Sequence, residues 1–294
     1  MIIVNLMGGL GNQMFQYAFG KYLSLTLHKK LILDKSFLLE HRNNPGVTPR
    51  DYELSVFSIT EEPTIFDHGF GLGKVFPYRV NKFADPFIKK FKSDVVCTDN
   101  DPLEDILKTQ ASKIIINGYF QKEIYFIGVE EVIRRSFTFK NDLSGENLLV
   151  KNKIDSSHSV SLHVRRGDYV SSQIAGSYHG LCSPEYYKQA IKTLTDLYTD
   201  LRFFVFSDDI EWCRANLNIP GDTCFISHNT GANSYLDMHL MSLCKHNIIA
   251  NSSFSWWGAW LNNYKDKVVI APKKWFVDSS IDTKDLYPKN WLTL

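Results

Sequence analysis

The chain has 294 residues, enough for two domains of ordinary size that each bury a core, or for one large domain. Lys+Arg 33 against Asp+Glu 32 leaves a net charge of +1, so no long-range field favours nucleic acid or an anionic membrane, and any anion site must be local. The 5 cysteines, Cys97, Cys182, Cys213, Cys224 and Cys244, are scattered and hold no C-x-x-C pair, which argues against a disulfide framework or zinc site and for a reducing, cytoplasmic compartment. The opening MIIVNLMGG has neither a basic leader nor a long apolar stretch, and nowhere do about 18 apolar residues run together. A soluble chain with no transmembrane segment is expected, compatible with peripheral membrane association.

Ile2 to Leu6 reads as a short buried strand, followed by a glycine-rich turn and a helix to about His28; Lys30 to Asp34 supplies a second strand. This β-α-β unit predicts a parallel sheet. From residue 37 to 113 the pattern loosens, with prolines and aromatics spread through it, and reads as an irregular insertion with short helices. Ile114 to Phe120 returns as a strand and Glu130 to Ser136 as a helix, and the polar stretch Lys140 to Ser159 is the expected inter-domain linker. Strands at 160–164, 202–207, 223–227, 246–250 and 267–271 then alternate with helices at about 184–199, 209–216, 232–245 and 254–263, the rhythm of a doubly wound sheet. In the third of these helices Leu236, Leu240, Leu243 and Cys244 form an apolar stripe with Asp237 on another face.

The chemistry-bearing residues fall in loops. Gly9, Gly11, Asn12 and Gln13 only partly match a dinucleotide fingerprint, because Met14 stands where a third glycine would let helix and sheet approach. The glycines still let backbone approach a ligand, Asn12 and Gln13 can donate amide hydrogens, and Asn12 could equally cap the helix. In SVSLHVRRGDYV a buried strand runs into Arg165, Arg166, Gly167 and Asp168. Successive side chains face opposite sides, so at least one guanidinium must meet water, an acid or an anion. A phosphate clamp at a strand's carboxyl end is one reading, and an internal arginine–Asp168 pair is the other. RFFVFSDD ends the next strand with Ser207, Asp208 and Asp209, where a carboxylate could accept from the N1–H and amino group of guanine, cap a helix, or pair around a metal that lacks a third ligand. Asp99-Asn100-Asp101 has the shape of a metal-nucleotide motif but lies in turn-like sequence with no strong strand expected before it. Asn251, Ser252 and Ser253 precede an aromatic helix whose first N–H groups, with the hydroxyls, could receive a phosphate. Trp256, Trp257 and Trp260 could stack on a ligand or pack in a core.

GGLGNQMFQYAFG (8–20), HVRRGDYV (163–170), FVFSDDIEWC (204–213) and DMHLMSLCKHNIIANSSFSWWGAWL (237–261) together resemble the bacterial α-1,2-fucosyltransferases of glycosyltransferase family 11, in the family's order; residues 37–113 carry no matching motif. The resemblance implies an α/β, GT-B-like fold of two Rossmann-like domains facing across a cleft, residues 1–150 on the acceptor side and 151–294 holding the donor. It implies inverting transfer of L-fucose from GDP-fucose to the 2-hydroxyl of a β-galactoside, with no cofactor and no metal. By matching position, Arg165 should contact the donor pyrophosphate and Asn12 should reach the same phosphates. His163 and Asp208 should lie near the guanine, and Ser252, Ser253 and Phe254 along the diphosphate. Gly11, Ser207 and Asn251 join this donor set, with Arg166 and Asp168 in a more structural part. Two competing functions are an NAD(P)-dependent oxidoreductase, for which Asp34 ends the second strand suggestively, and a non-catalytic glycan-binding protein, which 14% aromatic residues permit. Acceptor choice is expected to reside in 37–113.

Overall fold

A computed structural model of the chain describes residues 1–41, 49–65, 94–167, 180–278, 281 and 283–294. It contains two compact units, Met1–Lys140 and Asn141–Leu294. In the first, the elements in order are β1 (Ile2–Asn5), α1 (Leu10–Thr26), β2 (Leu31–Asp34), α2 (Ser36–Glu40), β3 (Pro63–Thr64), β4 (Asp94–Cys97), α3 (Leu103–Lys108), β5 (Lys113–Ile116) and α4 (Glu130–Ser136). The described strands form one parallel sheet in the order β3-β2-β1-β5-β4. The expected strand over 114–120 stops at Ile116, and by Phe120 the chain has φ of 50°, a left-handed conformation outside any strand. A strand, β4, does precede Asp99, where none was expected.

Met14 is fully buried, so the glycine-for-packing role fell elsewhere. Gly20, two turns further along α1, performs it: a Cβ there would lie 2.4 Å from Cγ2 of Val4 on β1 and 3.0 Å from Cδ1 of Leu31 on β2. Below α1, Phe15, Tyr17 and Phe19 pack with Phe120, Phe126 and Phe137, giving this unit an aromatic core.

The second unit begins with α5 (Gly145–Asp155), a helix where a linker was expected. Its low hydrophobicity hid it, because it buries only Asn147, Val150 and Ile154. Then follow β6 (His158–Val164), α6 (Pro184–Leu197), β7 (Leu201–Ser207), α7 (Ile210–Asn216), β8 (Thr223–Ile226), α8 (Tyr235–Leu243), β9 (His246–Ile248), α9 (Ser253–Leu261), β10 (Val269–Ala271) and β11 (Leu292–Thr293). The described strands are all parallel, in the order β11-β10-β9-β6-β7-β8. Val160, Leu162, Val164, Phe203 and Val205 stand in its core with Ala190, Ile191 and Leu194 of α6. On α8 the buried set is Met238, Leu240 and Met241, with Cys244 just beyond; Leu236 and Leu243 are only half-buried. All three tryptophans of α9 are core, and Trp256 Nε1 donates to the Leu286 carbonyl at 2.9 Å. The five cysteines are free thiols. Among the described residues no helix is long and apolar enough to cross a membrane.

Candidate active site

The second sheet changes direction at β6. From β6 the chain steps outward through β7 and β8, then returns on the other side with β9, β10 and β11. Loops leaving β6 and β9 at their carboxyl ends therefore diverge, which opens the crevice where doubly wound sheets bind ligands. Those loops carry Arg165 to Gly167 and Asn251 to Ser253. An open depression of about 670 Å³, lined by His158, Arg202 and Lys245 among others, lies instead at the amino ends of β6 and β7, away from this crevice.

Register explains the arginines. β6 and β7 pair in parallel from His158↔Leu201 to Val164↔Ser207, so the residues just beyond, Arg165 and Asp208, emerge side by side. Arg165 Nη1 lies 2.8 Å from Asp208 Oδ2, and the other oxygen of Asp208 accepts the Arg166 backbone N–H at 2.8 Å. Gly167 makes room for this pair: a Cβ there would meet Asp208 Oδ2 at 2.8 Å. One step on, Arg166 Nε reaches Asp209 Oδ2 at 3.1 Å while its guanidinium sits 4.1 Å from the Trp212 ring centroid. Asp209 caps α7 by accepting the Trp212 N–H at 3.1 Å, and Ser207 Oγ accepts the Asp209 N–H at 2.9 Å. Arg166, Ser207 and Asp209 thus set the frame, whereas Arg165 and Asp208 stand a quarter exposed at its edge. The guanine contact expected of Asp208 competes with this pairing. Asp168 lies outside the described residues.

His163, on β6, is 6% exposed, with its ring 5.9 Å from that of Phe254 in α9. Burial pushes its pKa down to about 4, a fall that Asp208 opposes and Arg165 reinforces, so the imidazole is neutral. Its Nδ1 is buried without a hydrogen-bond partner among the described residues, an opening for a ligand atom. Ser252 is the buried N-cap of α9 and its side chain makes no capping bond to the first-turn amides, which half-buried Ser253 and Phe254 begin. Asn251 ties the loop to its neighbours: Nδ2 donates to the Gly180 and Trp275 carbonyls at 3.3 Å each, and Oδ1 accepts from the Cys182 thiol.

In the first unit, Gly9 rather than Asn12 is the N-cap of α1. Asn12 lies in the first turn beside buried Gly11, and its Oδ1 accepts from Gln121 Nε2 at 2.8 Å. Gln13 is buried and spent on backbone, donating to Gly8 and Asp51 and accepting from the Glu53 N–H. Asp99 accepts the backbone N–H groups of Tyr119 and Phe120, and Asp101 accepts the N–H and hydroxyl of Thr98, so the acidic pair staples loops. Among the described residues no group of three or more His, Cys, Asp or Glu is placed to hold a metal. Asp34 accepts from the N–H and hydroxyl of Ser36, which ties it to the start of α2.

Sequence reasoning passed over Asp237. In the first turn of α8 its carboxyl is pushed up to about 7 by burial, while Asn229 Nδ2, donating to Oδ1 at 2.7 Å, pulls the other way. Asn229 in turn pairs with Asn147 of α5 through two 2.8 Å bonds. The only signal was an acid three residues before Leu240 and four before Met241, both buried.

The model of Glycosyl transferase family 11 matches residues 1–294. An alpha-1,2-colitosyltransferase of Escherichia coli is 37% identical over 100% of this chain and 98% of its own. A galactoside alpha-(1,2)-fucosyltransferase 1 of Leontocebus fuscicollis is 28% identical over 50% of this chain and 42% of its own. In fold, the chain is similar to NodZ alpha-1,6-fucosyltransferase soaked with GDP-fucose, with TM-score 0.51 and 17% identity, over 88% of this chain and 91% of that one. The two parallel α/β sheets are those of a GT-B-like protein, and with a family match from end to end the chain belongs to glycosyltransferase family 11.

Proposed function

We propose that this glycosyltransferase moves L-fucose from GDP-β-L-fucose to the 2-hydroxyl of a β-galactoside, with inversion at the anomeric carbon and without a metal or cofactor, in the cytoplasm. The observation that carries the reading is the Arg165–Asp208 pair at the switch point of the second unit. A guanidinium paired with a partly exposed carboxylate can exchange it for a diphosphate, which offers oxygens for bidentate pairing and more charge. As the bond from fucose C1 to the leaving oxygen lengthens, negative charge grows on the diphosphate. Arg165, the first-turn amides of α9 and the Ser252 and Ser253 hydroxyls are donors for it. Neutral His163 keeps an unprotonated nitrogen able to accept from a donor N–H. The galactose 2-hydroxyl enters from the opposite face of C1, which sets the inversion, and a loose transition state asks little of a general base.

The 37% identity to a colitosyltransferase favours one second reading, the same chemistry with colitose as the transferred sugar. The deciding experiment supplies GDP-fucose and GDP-colitose in parallel to the pure protein with lactose, lacto-N-biose and N-acetyllactosamine, in buffer with and without excess EDTA. Product from GDP-fucose that survives EDTA supports the proposal. Product from GDP-colitose alone transfers the assignment to colitose, and activity that EDTA abolishes and Mg²⁺ restores rejects the metal-free mechanism.

A further inference from the structure

The first unit has a switch point of its own. In the order β3-β2-β1-β5-β4, β2 and β3 lie to one side of β1 and β5 and β4 to the other, so the loops leaving β1 and β5 diverge at their carboxyl ends. The register Val4↔Ile116 brings Asn5 beside Asn117, and Asn5 Nδ2 donates to Asn117 Oδ1 at 3.4 Å. Asn5 Oδ1 is buried without a partner among the described residues. The two loops are laced together by carboxamides. Gln16 accepts the Met7 N–H at 3.0 Å and donates to the Gly118 carbonyl at 3.1 Å, and Gln121 donates to Asn12.

The turn after β5 is held in a shape it would not choose. Phe120 adopts φ of 50°, costly for a residue with a Cβ, and such strain persists only where the surroundings over-determine it. Here they do. The Asp99 carboxylate accepts the N–H groups of Tyr119 and Phe120, Gly118 leaves space for that carboxylate, and the Phe120 ring stacks on Phe19 at 4.4 Å. What this braced turn carries outward is Tyr119, 42% exposed.

We propose that this crevice is the acceptor subsite, with the Tyr119 ring under the apolar face of the galactoside and the carboxamides of Asn5, Asn117 and Gln121 taking its hydroxyls. The inference rests on the proposed transfer to a galactoside and deepens it. A sugar ring presents C–H groups on one face and paired donor-acceptor hydroxyls at its rim, and an exposed aromatic in the same turn as carboxamides that both donate and accept matches both features. Acceptor choice is thereby assigned to residues 117–121, downstream of the 37–113 segment in which the sequence suggested it.

The test compares wild type, Tyr119→Ala and Tyr119→Phe by ligand-observed NMR with lactose and N-acetyllactosamine, and by initial rates with GDP-fucose. Tyr119→Ala should raise the acceptor KM and weaken acceptor binding by about tenfold or more, with the KM for GDP-fucose and the melting temperature unchanged. Tyr119→Phe should bind acceptor nearly as well as wild type, since the ring and not the hydroxyl does the stacking. An unchanged acceptor KM in Tyr119→Ala overturns the inference, as does a wild-type protein that binds neither galactoside. A wild type that binds galactosides through Tyr119 yet transfers nothing from GDP-fucose overturns the donor assignment alone.

Discussion

At the scale of the residue, Arg165 separates a catalytic from a structural account of the same ion pair. Lysine keeps the charge but loses the planar fork, so Arg165→Lys should still pair with Asp208 and fold, yet stabilise a leaving diphosphate poorly. The expected loss is about 10²- to 10³-fold in kcat with an unchanged melting temperature, the size of removing one preorganised donor. Near-normal kcat in a destabilised Arg165→Ala protein would assign the arginine to loop stability instead. That at least one of Arg165 and Arg166 must meet water, an acid or an anion was legible in the sequence, because consecutive arginines cannot both enter a core. Which acid Arg165 meets was not. Asp208 lies 43 positions away, and only the parallel register of β6 on β7 brings the two together. Tyr119 and Asp237 were hidden for the same reason, their surroundings being built by other strands and helices.

At the scale of the element, α1 and its glycines decide how closely the first unit packs. Gly20→Ala would push a methyl group into Val4 and Leu31 across the helix–sheet contact. Overpacking of this kind costs roughly 1–3 kcal/mol, so a drop of several degrees in melting temperature is expected in a thermal unfolding scan. An unchanged melting temperature would mean that helix and sheet separate freely. Strong hydrophobic periodicity made the alternating elements of the second unit readable to within a few residues. Where periodicity failed, so did the reading: α5 buries an asparagine and two aliphatic residues and looked like a linker. β4 sits at the sheet edge with Val96 exposed, and its short mixed sequence gave little to distinguish it from the loops around it.

At the scale of the whole molecule, three histidines tie stability to pH. Burial drives His163, His239 and His246 down to about 4 from an ordinary 6.5. His246 shows a further reason: its Nδ1 accepts the Val268 N–H at 3.0 Å, a bond that works only while the His246 ring is neutral, with Nε2 then carrying the proton and facing His158 Nε2 at 2.9 Å. Between about pH 4 and 6.5 the unfolded chain binds protons on these residues that the folded chain does not. Their stabilisation is therefore complete above 6.5 and lost as pH falls through that window. Asp237, raised from 3.8 to about 7, has the opposite sign, since its folded form holds a proton that the unfolded form has released. Three groups against one predict a melting temperature that climbs from pH 4 to 6.5. In His246→Asn the climb should be shallower, and an equal slope in the two proteins would remove His246 from the account.

The placement of the indoles offers a way to watch one unit alone. The 6 tryptophans, Trp212, Trp256, Trp257, Trp260, Trp275 and Trp291, all fall in Asn141–Leu294. Emission excited at a wavelength that tyrosine does not absorb therefore comes from the unit carrying Arg165, while Met1–Lys140 is dark. Trp212 lies under the Arg166 guanidinium, one residue from Arg165, so its emission reports on the arginine loop itself. A denaturant titration followed at that wavelength and by backbone circular dichroism will give coincident curves if both units unfold together, and an earlier or later fluorescence transition if the arginine-bearing unit has a stability of its own.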